Sequence, residues 1–76
     1  MNIAAPPTAA TPELLRDTEA AGMCGLSRSG WHKANSAGRV PLPLRIGRAT
    51  RWRRTELLDW IAAGTPRRDR WIAMRK

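Results

Sequence analysis

At 76 residues and a net charge of +8, with a sequence pI near 11.7, the chain has room for one small domain and suits a polyanionic partner. A lone cysteine, Cys24, excludes an intrachain disulfide, and no apolar run approaches the length of a membrane span or a signal-peptide core, so the expected setting is cytoplasmic and membrane-free. The aromatic residues are four Trp with no Phe or Tyr, and these indoles are expected to carry much of the core.

The charge is unevenly placed. Met1 to Leu26 holds one basic and three acidic residues, a balance of −2, whereas Ser27 to Lys76 holds thirteen basic and three acidic residues, +10. Twelve of the fourteen basic residues are Arg, whose planar fork of donors suits phosphate and guanine edges and favours nucleic acid over an anionic membrane.

The first stretch, residues 1–12, is Ala-rich and broken by Pro6, Pro7 and Pro12; with little to bury it is expected to be a disordered tail. Glu13-Leu14-Leu15-Arg16 reads as a short apolar entry segment, a brief strand or packing arm. Thr18 is the expected N-cap of a first helix over Glu19 to Cys24, with Glu19 near its positive end. Ala20 and Ala21 would let a second helix cross closely, Gly22 costs about 1 kcal/mol against Ala, and Gly25 opens the turn.

The second helix is bracketed by Ser27, whose hydroxyl can accept from first-turn amides, and by Gly38, a stop signal. Arg28, Ser29, His32, Lys33, Asn35 and Ser36 give it a polar, basic face. Trp31 is its large apolar residue and reads as core, with Leu26 expected to point inward from the turn. Thr18 to Ser36 thus has helix-turn-helix spacing, and the second helix is the candidate DNA recognition helix.

Pro41 and Pro43 forbid a helix through Val40-Pro41-Leu42-Pro43. Leu44, Ile46, Thr50 and Trp52 then alternate with Arg45, Arg51 and Arg53 around Gly47-Arg48-Ala49. That predicts a β-hairpin with one apolar face, one arginine face and Arg48 at its tip, lying on the helices as a wing. From Arg54 to Gly64 the pattern is an amphipathic helix starting between Arg53 and Thr55. Leu57, Leu58 and Ile61 face the core with Trp60 beside them, and Glu56 and Asp59 point away. The basic stretch from Thr65 to Lys76 leaves three readings open: a disordered tail, a segment docked through Trp71 and Ile72, or a further DNA-contacting segment.

These elements define the expected fold: α+β, mainly helical, a small winged helix-turn-helix domain over 13–64 with a two-stranded hairpin wing, between a 1–12 tail and a 65–76 basic tail. The candidate DNA-binding residues are Ser27, Arg28, Ser29, His32, Lys33, Arg45, Arg48 and Arg51. Arg28 is placed for a bidentate guanine contact, with phosphate as the alternative. Ser27 caps the helix and can also touch phosphate, and Lys33 suits phosphate. Arg48 can enter a narrow minor groove or remain a solvated loop charge. Arg45, Arg51 and Arg53 form the solvated or phosphate-facing side of the wing. If about six phosphates are met, log K falls against log salt with a slope of roughly −5. With a single His and a single Cys, no catalytic triad, metal-ligand cluster or cofactor loop can be assembled, so neither catalysis nor a cofactor is expected.

Leu14-Leu15-Arg16, Thr18-Glu19-Ala20-Ala21, Gly25-Leu26-Ser27-Arg28-Ser29, Gly38-Arg39-Val40-Pro41, Arg51-Trp52-Arg53 and Glu56-Leu57 with Trp60-Ile61 together resemble the AlpA-type and phage excisionase family. These are small winged helix-turn-helix proteins related to the MerR DNA-binding domain. The resemblance covers about Leu14 to Gly64 and departs from the family pattern at Gly30, Trp31, His32, Ala34 and Asn35. It implies binding to double-stranded DNA as an excisionase, a recombination directionality factor that bends attachment-site DNA for a phage or mobile-element integrase. A cognate integrase and cooperative self-association on DNA would follow. The alternative within the family is an AlpA-like transcription regulator of mobile-element genes. Outside it, a cationic RNA- or protein-interaction module remains open.

Overall fold

The computed structural model describes residues 12–75; apart from Pro12, the expected N-terminal tail lies outside them. Among the described residues the chain runs β1 (Leu14–Leu15), α1 (Asp17–Met23), α2 (Arg28–Ser36), β2 (Leu44–Ile46), β3 (Ala49–Arg53), α3 (Arg54–Ala62) and α4 (Arg68–Met74). The result is an α+β unit of four helices and a three-stranded antiparallel sheet in the order β1-β3-β2.

Local chemistry fixes most helix ends. Ser27 caps α2, its Oγ accepting from the Gly30 amide at 3.1 Å. A Cβ on Gly30 would lie 3.2 Å from that oxygen, a close approach that the capping hydroxyl would have to yield to. At the end of α1 the Leu26 amide donates to Ala21 O (2.9 Å) and Gly25 N to Gly22 O (3.2 Å). At the end of α2, Arg39 N donates to Ala34 O (2.9 Å) and Gly38 N to Asn35 O (3.1 Å). Both are Schellman closures, and both need the φ of +70° that Gly25 and Gly38 adopt. The bonds of Thr65 N and Gly64 N to Trp60 O and Ile61 O close α3 in the same way.

The start of α1 differs from expectation. Thr18 lies inside the helix, and Arg16 is the N-cap residue. Arg16 has no short side-chain acceptor, and Glu19 supplies the bond instead, its carboxylate accepting the Arg16 amide at 2.7 Å. This is the reciprocal half of a capping box.

The core joins every layer. Leu15, Ala20, Ala21, Trp31, Val40, Trp52, Leu57, Trp60 and Trp71 form one buried cluster, and no polar or charged residue is buried among the described residues. Trp31 of α2 meets Trp52 of β3 edge to face, with centroids 5.3 Å apart and planes at 79°, a geometry worth about 0.5–1.5 kcal/mol beyond area burial. Three indole N–H groups are satisfied: Trp52 by Pro41 O (3.1 Å), Trp60 by Pro66 O (2.8 Å) and Trp71 by Glu56 (3.0 Å). The Trp31 Nε1 is buried without a partner.

Several expected orientations are corrected. Leu26 is exposed at the turn instead of pointing inward, while its amide completes the Schellman closure. Leu58 and Ile61 are exposed as well. The buried stripe of α3 is Leu57 and Trp60, three residues apart on one face. Glu56, expected to point outward, is covered by α4, accepting from Trp71 Nε1 and Arg75 Nη1.

The entry segment makes the sheet three-stranded instead of two-stranded. Leu14 pairs with Arg53 and Leu15 with Trp52, and the Arg54 amide donates to Glu13 O at 2.9 Å. A bare hairpin is marginal in water, so β1 supplies lateral support for β3.

The faces of the hairpin also sort differently. Leu44 pairs with Arg51, Arg45 with Thr50 and Ile46 with Ala49 across the turn at Gly47 and Arg48. Paired residues share a face, and this register pairs even numbers with odd ones. Leu44 and Ile46 therefore lie with Arg51 and Arg53, while Arg45 lies with Thr50 and Trp52. The expected separation into an apolar face and an arginine face assumed equal parity across the turn. Ile46 is 57% exposed as a consequence.

The 65–76 stretch is not a free tail over its described part. It forms α4, which is anchored by buried Trp71 and belongs to the same core as the 13–64 elements.

Candidate nucleic-acid interface

Helix α2 is held from beneath by fully buried Trp31 and at its start by the Ser27 cap. Its solvent side carries Arg28, Ser29, His32 and Lys33, which together line one open depression. Residues at i, i+1, i+4 and i+5 fall on adjoining stripes of a helix, so these four candidates from the sequence are brought together. Ser27 precedes them with its hydroxyl engaged by Gly30. Along α2 the side chains thus offer a guanidinium, a hydroxyl, an imidazole and an ammonium group, donors suited to base edges and phosphate oxygens.

One partner of this face was missed from sequence. Asp17, at the start of α1, accepts from Arg28 Nε at 2.9 Å, and its same Oδ2 lies 2.7 Å from His32 Nε2. The Asp17 Oδ1 takes the Thr18 amide at 2.7 Å. The Arg28 guanidinium, then the His32 ring, then the Thr18 amide hold the Asp17 carboxyl down at about 2, against an ordinary value of 3.8 and against the opposing effect of desolvation. The pair in turn raises the Arg28 pKa. Arg28 remains exposed despite this bond, its side chain 69% accessible. The carboxylate offsets one positive charge of the face, and Lys33 is the cation of α2 that makes no ion pair among the described residues.

The hairpin candidates form a second group. Arg48 occupies the turn between β2 and β3 and is exposed, as is Arg45. Arg51 is half-buried, and its Nη1 donates to Thr50 O at 2.9 Å. Among the described residues no hydrogen bond or ion pair links this group to Arg28, Ser29, His32 or Lys33.

Further cations are exposed beyond these two groups. Arg39, Arg53, Arg67 and Arg70 are exposed and make no ion pair among the described residues. Arg68 does the opposite: its Nε donates to Val40 O at 2.9 Å and its Nη2 to Asn35 Oδ1 at 2.7 Å and Asn35 O at 3.2 Å. Its amide donates to Gly38 O at 3.0 Å. The start of α4 is thereby pinned to the C-terminal end of α2, near Arg39. Arg54 pairs with Glu13 (3.1 Å) and braces the β1–β3 junction rather than the surface.

Cys24 is half-buried and its thiol is pushed up by burial, the reverse of an activated nucleophile. No group of three or more potential metal ligands occurs among the described residues, and no described helix is long and apolar enough to cross a membrane. No family model, curated protein or solved structure matches the chain.

Proposed function

We propose that the chain binds duplex DNA and reads its sequence through α2, with α1 and α2 as a helix-turn-helix and β2–β3 as the wing. The observation that carries this reading is the helix seated on Trp31 whose outer side gathers Arg28, Ser29, His32 and Lys33 into one depression. A helix of that width fits the major groove. A hairpin with exposed Arg48 at its turn suits an adjoining groove or backbone, and the charge of +10 beyond Leu26 supplies non-specific attraction to phosphates. The burial of all four indoles supports duplex over single-stranded RNA, which is gripped by exposed stacking aromatics.

The resemblance to AlpA-type and excisionase proteins extends the proposal to a role. The protein binds attachment-site DNA as a recombination directionality factor, alongside a cognate integrase and further copies of itself. The first test is a footprint on the DNA upstream of its own coding sequence, with single-stranded RNA as competitor. Protection of a discrete duplex site is expected; equal affinity for duplex DNA and RNA of any sequence would overturn the reading. In a reconstituted integrase reaction, stimulated excision and suppressed integration without RNA polymerase are expected. Site-specific binding with no effect on recombination would assign the alternative role of transcription regulator.

A further inference from the structure

Asp17 lies outside α2 yet contacts two of its outward side chains, Arg28 and His32. Arg28 and His32 are four residues apart and so share a face of α2. A carboxylate at the start of α1 reaches both through the same oxygen, at 2.9 Å and 2.7 Å. The bond to Arg28 uses Nε, so the terminal nitrogens Nη1 and Nη2 make no hydrogen bond among the described residues. Those two nitrogens form the fork whose spacing matches O6 and N7 of guanine. An arginine held at Nε has fewer rotamers left to lose when it meets a base, which reduces the entropy lost on contact.

The same oxygen fixes the imidazole. An ionised carboxylate can only accept, so a neutral His32 bonded to it carries its hydrogen on Nε2. Its Nδ1 is then an acceptor. In the major groove an acceptor meets the exocyclic amine of adenine or cytosine.

We propose that Asp17 is the positioning residue for base recognition, presenting Arg28 as a guanine fork and fixing the His32 tautomer, so that the uncharged ring offers Nδ1 as an acceptor for an adenine or cytosine amine. This rests on the reading of α2 as a DNA recognition helix. It also separates the roles of charge: Asp17 lowers the net positive charge of the face, and so lowers non-specific affinity, while sharpening choice among sequences.

The test is selection from a randomised duplex library with the wild-type protein, Asp17→Ala and Asp17→Asn, with circular dichroism confirming the fold of each. The wild-type motif should contain a guanine and a nearby adenine or cytosine. In Asp17→Ala the guanine preference should fall at least about fivefold, the low end for one bidentate pair. Affinity for arbitrary duplex should be higher, and the salt slope at least as steep, because the Arg28 charge is no longer compensated. Asp17→Asn, whose amide oxygen still accepts, should recover part of the preference. If Asp17→Ala fails to fold, the asparagine variant carries the comparison.

An unaltered motif in both variants overturns the inference and leaves the DNA-binding reading standing. A wild-type protein that selects no motif overturns both. A readout free of DNA is the nitrogen shifts of the His32 ring: protonation at Nε2 in the neutral wild-type ring, shifting toward a tautomer mixture in Asp17→Ala, supports the inference. A neutral ring protonated at Nδ1 in the wild type overturns it.

Discussion

Arg68 Nη2 donates to Asn35 Oδ1 at 2.7 Å, joining the last helix to the C-terminal end of the candidate reading helix across 33 residues of sequence. The same guanidinium satisfies the carbonyls of Asn35 and Val40, so one side chain replaces water at the exit of α2. Arg68→Ala is therefore expected to destabilise the domain by about 1–3 kcal/mol, the range for stranding partly buried polar groups, and to loosen α4. Arg68→Lys should recover less than half of this, because an ammonium cannot reproduce the fork. Urea denaturation of the three proteins measures it, with amide exchange at Ala37 to Arg39 reporting whether the loss is local.

The tryptophans give a second comparison. Trp31 and Trp52 are both buried and in edge-to-face contact, but Trp52 Nε1 donates to Pro41 O whereas Trp31 Nε1 has no partner. Replacing either by Phe removes similar volume, and only Trp52→Phe strands an acceptor. Trp52→Phe is expected to cost about 1 kcal/mol more than Trp31→Phe, read from the midpoints of chemical denaturation at equal m-value. Trp31→Ala, by contrast, should cost about 3–5 kcal/mol, enough to unfold a domain of this size under many conditions.

The parts of this architecture that local chemistry controls were legible in the sequence. Ser27 as a cap, the glycine stops after α1, α2 and α3, and Trp31 as core each depend on a few neighbouring residues. What escaped depends on tertiary placement. The tie between Asp17 and Arg28 needs the crossing of two helices, and nothing in a run of polar residues says which carboxylate reaches which guanidinium. The hairpin faces turned on the register across Gly47 and Arg48: pairing 46 with 49 moves Leu44 and Ile46 to the side of Arg51. The stretch from Thr65 to Lys76 left three readings open, and of the two residues offered for docking Trp71 is buried while Ile72 is exposed. The choice stayed open because the single buried anchor is surrounded by arginines. The signal was spacing, with Arg68, Trp71 and Arg75 at intervals of three and four on one helical side.

Acid should act through Asp17. Its carboxyl is held at about 2 in the folded chain, against 3.8 ordinarily. A depressed carboxylate contributes stability in full above its unfolded value, and that contribution fades as pH falls from 3.8 through 2. The wild-type protein is thus expected to exceed Asp17→Asn in stability at pH 5, with the gap closing toward pH 2. Denaturation at fixed pH across that window measures it, and a gap that persists at the acid end would show that Asp17 acts through something other than its charge.

If α2 and the hairpin meet DNA as proposed, their cations should divide by function. Lys33 makes no ion pair among the described residues and Arg48 is exposed at a turn, which suits both to phosphate or groove electrostatics. Lys33→Ala should weaken binding nearly equally for every duplex and reduce the steepness of log K against log salt by about 0.9, the loss of one phosphate contact. Arg48→Ala should reduce the slope similarly, with the larger affinity loss on sites whose flank is A·T-rich and narrow in the minor groove. Arg28→Ala should instead reduce the preference for the cognate site over random duplex by about 1–3 kcal/mol. Because Asp17 already compensates the Arg28 charge, its removal should alter the slope less than the loss of Lys33. Titrations of each variant at several salt concentrations, on cognate and random duplexes, distinguish the two behaviours. A slope change for Arg28→Ala as large as that for Lys33→Ala, with specificity retained, would place Arg28 on the phosphate backbone.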